Sequence, residues 1–109
     1  MEYVKIAETS GFSAESKMLV QWRDKEILLT KIENSYYAID NKCTHMGGSL
    51  YDGELTGNEI ICPKHHTKFD VRSGKVVDNG KILFITLNAK DTAIYPVKLE
   101  GTDILIGLE

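Results

Sequence analysis

The sequence predicts an all-β fold, a sandwich or a small barrel, and three observations predict it. Short runs rich in β-branched and aromatic residues are broken by polar turns along the chain. In the last third, apolar residues alternate with polar ones at period two. No stretch of about twelve residues carries the 3.6-residue apolar period of an amphipathic helix.

The elements follow in order. Strands are expected over residues 2–7, 18–22, 26–33 and 36–39. A loop over residues 11–16 separates the first two, and Arg23-Asp24-Lys25 and Glu33-Asn34-Ser35 read as hairpin turns. Between Asp40 and Gly74 the texture changes: five glycines or prolines and few alternating apolars suggest two loops projecting from a sheet, with a short strand at residues 58–61 between them. Strands resume at 75–77, 81–87, 93–100 and 103–108. Leu83/Ile85/Leu87, Tyr95/Val97/Leu99 and Ile104/Ile106/Leu108 each mark one face, and Gly101-Thr102 joins the last two strands. The one helical candidate is a turn near residues 88–91. Trp22, Tyr3, Tyr36 and Tyr37 read as packing residues.

With 109 residues, the chain is expected to form a single domain (1–109) able to bury a modest core. Hydrophobic residues at 42% and charged residues at 27% are ordinary for a globular protein and argue against disorder. A net charge of −3 leaves no basic footprint for nucleic acid or an anionic membrane. No apolar run approaches the roughly 20 residues of a membrane span. The N-terminus enters a strand pattern without a basic and apolar leader, so no secretory signal is expected and a cytoplasmic location is.

Chemistry concentrates in Cys43-Thr44-His45 and Cys62-Pro63-Lys64-His65-His66, which together hold both cysteines and all three histidines. Thiolate and imidazole are the side chains that bind soft and borderline metals. A cytosolic disulfide is disfavoured, and each cysteine has a histidine two or three residues away, so metal ligation is the better reading. Two metal readings stand side by side. Structural zinc sites usually take both cysteines from one cluster and both histidines from the other. Here each cluster gives one of each, the arrangement of a mixed-ligand iron–sulfur centre. His65 and His66 compete for the fourth position, a choice the residues alone leave open.

The paired C-x-H and C-x-x-H resembles the Rieske iron–sulfur signature. Cys43 to Leu50 is similar to that family's C-x-H-x-G-x-x-L first loop, and Phe69-Asp70-Val71-Arg72-Ser73-Gly74 to its F-D-x-x-T/S-G stretch. Tyr95 to Gly101 looks like the closing strand and turn of Rieske ferredoxins. The resemblance implies a Rieske fold: an antiparallel β-sandwich base with an inserted two-loop cluster-binding lobe at about residues 40–74. It implies a [2Fe–2S] cofactor with Cys43 and Cys62 on the inner iron and His45 and His65 on the outer one. Two thiolates and two neutral imidazoles leave the oxidised centre neutral, which eases addition of an electron relative to four thiolates.

The function implied is that of a soluble one-electron carrier between a reductase and an oxygenase or other redox enzyme. The chain carries no nucleotide motif and no mononuclear iron signature, so it is not expected to catalyse a reaction itself. A permanently bound small subunit of a larger reductase and a redox-inert zinc module are the alternatives. Three departures from the family stand out. Respiratory and photosynthetic relatives carry an extra cysteine in each loop, where this chain has Met46-Gly47-Gly48 and Lys64. Thr67 and Phe69 occupy the positions of a serine and a tyrosine in those relatives. No proline lies between Pro63 and Pro96, where many relatives have one in a third, covering loop.

Overall fold

The computed structural model describes residues 1–12, 16–44, 48–64, 66–82, 85–86 and 89–108. Its strands are β1 Glu2–Glu8, β2 Lys17–Trp22, β3 Lys25–Ile32, β4 Ser35–Asp40, β5 Glu54–Thr56, β6 Glu59–Ile61, β7 Lys68–Asp70, β8 Val76–Asp78, β9 Lys81–Ile82, β10 Ile85–Thr86, β11 Ile94–Tyr95, β12 Val97–Glu100 and β13 Asp103–Leu108. Two 3-10 turns, Thr9–Phe12 and Leu50–Asp52, complete the regular structure of the described residues. The all-β expectation holds.

A three-stranded sheet, β1-β13-β12, packs against a four-stranded one, β11-β4-β3-β2, with antiparallel pairing throughout. Their shared core holds Phe12, Val20, Ile27, Leu29, Ala38, Ile104 and Ile106. Tyr36 joins it through an edge-on contact with Phe12, ring centroids 5.2 Å apart. Trp22 packs there too, as a packing residue should. A second four-stranded meander, β5-β6-β7-β8, forms the lobe.

The central sheet serves both layers. In β3, Ile27 and Leu29 enter the sandwich core while Leu28 points the other way, into a second core with Ile39, Leu50, Ile60, Phe69 and Val71. Successive strand side chains face opposite sides, so a strand buried on both faces reads as the unbroken apolar run Ile27-Leu28-Leu29. All three are fully buried, each contributing about 1.5–3 kcal/mol of apolar transfer free energy. The lobe is thus seated on the back of the sandwich.

Four two-residue hairpins carry a positive φ at their first turn residue: Arg23 (55°), Glu33 (57°), Gly57 (60°) and Gly101 (62°). Two of these were legible as polar turns, and Gly101 as a glycine turn.

Several expected boundaries shift. The strand expected over residues 93–100 is two strands, because the chain changes sheets at Pro96: Ile94–Tyr95 pairs with β4, and Val97–Glu100 with β13. Proline has no N–H to continue a ladder. Tyr95 and Val97 pack on the sandwich core, but Leu99, expected on the same face, is exposed. The strand expected over 81–87 reverses on itself, Ile82 pairing with Ile85. Of the face expected from Leu83/Ile85/Leu87, Leu83 and Leu87 lie outside the described residues. So does Asn88 of the expected helical turn, while residues 89–91 are irregular. Strands β5 and β7 were not anticipated.

Candidate metal centre

The first cysteine loop leaves β4 at Asp40 and returns at Leu50. Its closure depends on Asn41, which is fully buried. The Asn41 side-chain oxygen accepts the Tyr51 N–H at 2.8 Å, and its amide nitrogen donates to Ser49 Oγ at 2.9 Å and to Glu26 Oε1 at 3.4 Å. Its backbone N–H donates to Glu26 O (2.9 Å), and its carbonyl accepts the Leu50 N–H (2.8 Å). An isolated bridge between Lys42 and Ser49 pairs the two limbs. Inside this frame the Cys43 N–H donates to Gly48 O at 2.7 Å.

The second loop is the β6–β7 hairpin connection. Ile61 pairs with Lys68, and within the loop Cys62 N–H donates to Thr67 O (2.8 Å) and His66 N–H to Cys62 O (3.1 Å). His66 takes the turn with φ 64°, a region histidine enters more readily than most residues, and it is exposed.

A third segment braces both loops. The buried Thr67 hydroxyl donates to Asn79 O at 2.9 Å, and the Asn79 side-chain oxygen accepts the Ala89 N–H at 3.1 Å. Gly80, φ 78°, turns the chain there, and its N–H donates to the Asp78 carboxylate at 2.9 Å. The Thr44 hydroxyl of the first loop donates to Lys90 O. Hydrogen bonds to asparagine and threonine side chains thus anchor this segment to both loops without a proline.

Below the loops, Arg72 forms a two-pronged pair with Asp70, 2.9 Å at Nη2 and 3.2 Å at Nε, and donates its backbone N–H to the same carboxylate at 2.8 Å. The guanidinium hydrogen bond holds the Asp70 carboxyl below its ordinary range. Gly74, φ 74°, closes the turn: a Cβ there would stand 2.5 Å from Thr92 O. From β2, Lys17 Nζ donates to Tyr51 O and Gly53 O and stands 5.0 Å from the Tyr51 ring, tying the sandwich to the lobe.

The structure brings Cys43 and Cys62 together. They sit in one hydrophobic cluster, 3% and 1% exposed. A Cβ built on Gly48 would lie 3.2 Å from Cys62 Sγ, so glycine lets the first loop's backbone close onto the second loop's sulfur. His45 and His65 lie outside the described residues. Among the described residues no three His, Cys, Asp or Glu side chains converge, so the described part of the centre is the cysteine pair. Two sulfur donors held in hydrocarbon suit a bound soft cation, which compensates the charge of thiolates that such surroundings would otherwise disfavour. The donor chemistry fits an iron–sulfur cluster. Residues 43–51 and 60–69 contain no Asp or Glu, so neither loop sets a carboxylate beside an incoming electron.

The sequence reading missed Asn41, Lys17 and Asn79. Asn41 leaves a signal, a polar residue directly after the strand Tyr36-Tyr37-Ala38-Ile39-Asp40 and two positions before a ligand candidate; Lys17 and Asn79 leave none.

Comparison with known proteins agrees. The chain is 40% identical over 90 residues to the ferredoxin component of the naphthalene 1,2-dioxygenase/salicylate 5-hydroxylase systems of Ralstonia sp., covering 83% of this chain and 80% of that one. It is 42% identical over 84 residues to the naphthalene 1,2-dioxygenase ferredoxin component of Pseudomonas putida, covering 77% and 74%. The ferredoxin of carbazole 1,9a-dioxygenase from Nocardioides aromaticivorans superposes over the full length of both chains with a TM-score of 0.80 at 27% identity. The family model of the Rieske [2Fe–2S] domain matches residues 2–82. The chain therefore belongs to the Rieske [2Fe–2S] domain family.

Proposed function

We propose that residues 1–109 form one Rieske domain, with its cluster lobe at about 40–74, acting as a one-electron carrier. Cys43, His45, Cys62 and His65 hold a [2Fe–2S] cluster. The carrier takes electrons from a reductase and delivers them to a terminal oxygenase. The observation that carries this reading is the pair of buried cysteines, brought from two separate loops into one core. Supporting it, the named relatives are ferredoxin components of dioxygenase systems, electron carriers rather than catalysts.

When bound, the cluster supplies one-electron redox chemistry. The protein's own part is to position and shield. Asn41 and the Lys42–Ser49 bridge fix the first loop, and the β6–β7 hairpin fixes the second. Leu28, Ile39, Leu50, Ile60 and Phe69 keep water from the inner side of the cysteine pair. Among the described residues no helix is long and apolar enough to cross a membrane, and we place the carrier in the cytoplasm with its partners.

The test is spectroscopic. Purified protein is expected to be red-brown and, once reduced, to give an EPR signal with the low average g of mixed His/Cys ligation. A colourless protein with one stoichiometric zinc overturns the assignment. Ligand variants test the rest: His45→Ala and His65→Ala lose the cluster while His66→Ala keeps it, and the reverse ordering at 65 and 66 would reassign the fourth ligand. Gel filtration with a reductase and an oxygenase separates a diffusible carrier from a permanent subunit.

A further inference from the structure

We propose that the aliphatic stem of Lys64 is the clamp between the two cysteine loops. It acts as a positioning residue that keeps Gly48 seated against the Cys62 sulfur. The proposal rests on Cys62 being a cluster ligand. A Cβ built on Gly48 would lie 3.2 Å from Lys64 Cγ and 3.3 Å from Lys64 Cδ, as well as 3.2 Å from Cys62 Sγ. The first loop's backbone therefore sits in a notch lined by the second loop's sulfur and by lysine methylenes. Gly48 is buried although Lys64 is exposed, so the methylenes cover the glycine while the ammonium remains in water.

The notch couples both sulfur-bearing residues. Gly48 O holds the Cys43 N–H at 2.7 Å, so a displacement of Gly48 pulls on Cys43, while Lys64 follows Cys62 by two residues on a loop closed by the Cys62–Thr67 hydrogen bond. Removing the stem opens one wall of the notch. The dispersion contacts there are lost outright, and water gains a route to the inner sulfur.

The experiment compares holo wild type, Lys64→Ala, Lys64→Met and Gly48→Ala. Cluster loss in excess iron chelator is followed by visible absorbance, and hydrogen exchange of the peptide spanning residues 42–50 by mass spectrometry. Methionine keeps an unbranched stem and discards the charge. Lys64→Ala is expected to lose its cluster about tenfold faster, which is about 1.4 kcal/mol, and to exchange faster across the first loop; Lys64→Met stays near wild type in both. Gly48→Ala, whose Cβ meets Cys62 Sγ, also bleaches faster while keeping a wild-type circular dichroism spectrum. Lys64→Ala bleaching at the wild-type rate overturns the clamp. Lys64→Met as fast as Lys64→Ala assigns the effect to charge and overturns it equally. If Lys64→Ala does not fold, a Gly48→Ala protein with unchanged bleaching is the refuting result. A wild type without visible absorption fails the cluster reading itself, which a coloured wild type with an indifferent Lys64→Ala does not.

Discussion

Asn41 offers the sharpest perturbation of the first loop. Its side chain is fully buried and makes two good hydrogen bonds and one long one, at 2.8, 2.9 and 3.4 Å. The Tyr51 N–H can only donate, which fixes the side-chain oxygen toward it and the nitrogen toward Ser49 and Glu26. In Asn41→Ala the Tyr51 N–H loses its acceptor, at about 1–3 kcal/mol for a buried unsatisfied group, and Ser49 loses a bond worth about 1 kcal/mol. The total is about 2–4 kcal/mol, a large share of the roughly 5–15 kcal/mol that holds a domain together. Urea denaturation of the holo protein followed by far-ultraviolet circular dichroism measures it. Asn41→Asp isolates the mechanism. It keeps the acceptor for Tyr51 but turns a carboxylate oxygen toward Glu26 Oε1, at 3.4 Å in wild type. One carboxyl of such a pair has its folded-state pKa raised, so the penalty is present above that pKa and is relieved as pH falls through it. Asn41→Asp is therefore expected to regain stability relative to wild type on mild acidification, and Asn41→Ala is not. An Asn41→Ala protein within about 0.5 kcal/mol of wild type, the scatter of an ordinary surface change, would refute the reasoning.

Three further outcomes are expected. Gly53→Ala would place a Cβ 1.8 Å from Ile61 O, forcing β5 off β6 beside Cys62; a loss of at least about 3 kcal/mol, the upper end of overpacking costs, is expected in thermal melts, and a loss under about 1 kcal/mol contradicts the close approach. Asp70→Asn tests the ion pair under the lobe: Asp70's folded pKa is lowered, chiefly by the Arg72 hydrogen bond, so its contribution is full above the unfolded value and is lost as pH falls through the folded one. Wild type should outlast Asp70→Asn in denaturation above about pH 5 and lose that margin below about pH 3.9; a margin independent of pH counts against the pair. Thr67→Val removes the donor to Asn79 O; it should speed hydrogen exchange over residues 76–80 while moving the reduction potential by less than about 20 mV, against the ~59 mV of a tenfold change for one electron.

Legibility in the sequence followed the physics of each segment. Strands β2, β3, β4 and β13 were readable because length, β-branching and polar turns agreed. The lobe was readable in part: β6 and β8 were anticipated, while β5 and β7 were not, β5 because it stands between Gly53 and Gly57, which read as loop. Pro96 was visible but its effect was not: a strand that changes sheets keeps its alternation across the break. At the site, ligand candidates were legible because thiol and imidazole chemistry restricts residue type at fixed spacing. The supports were not, because Asn41, Lys17 and Asn79 act on backbone groups 10 to 36 positions away in sequence, through contacts that exist only after folding.

The disposition of hydrogen bonds at the loops bears on redox tuning. A hydrogen bond donated to a cluster sulfur stabilises the reduced state and raises the potential. Thr67 stands at the position of the relatives' serine and keeps a hydroxyl. In the fold its single hydroxyl proton goes to Asn79 O, and a hydroxyl donates only once. Phe69, fully buried at the position of the relatives' tyrosine, has no hydroxyl to offer. The side chains at both positions are thus turned to structure here, Thr67 to the carbonyl of Asn79 and Phe69 to the hydrocarbon around the cysteines. The potential is therefore expected in the lower part of the range of roughly −150 to +300 mV open to such centres, below about +100 mV. Voltammetry near the upper limit would mean that donors other than these two side chains control the potential.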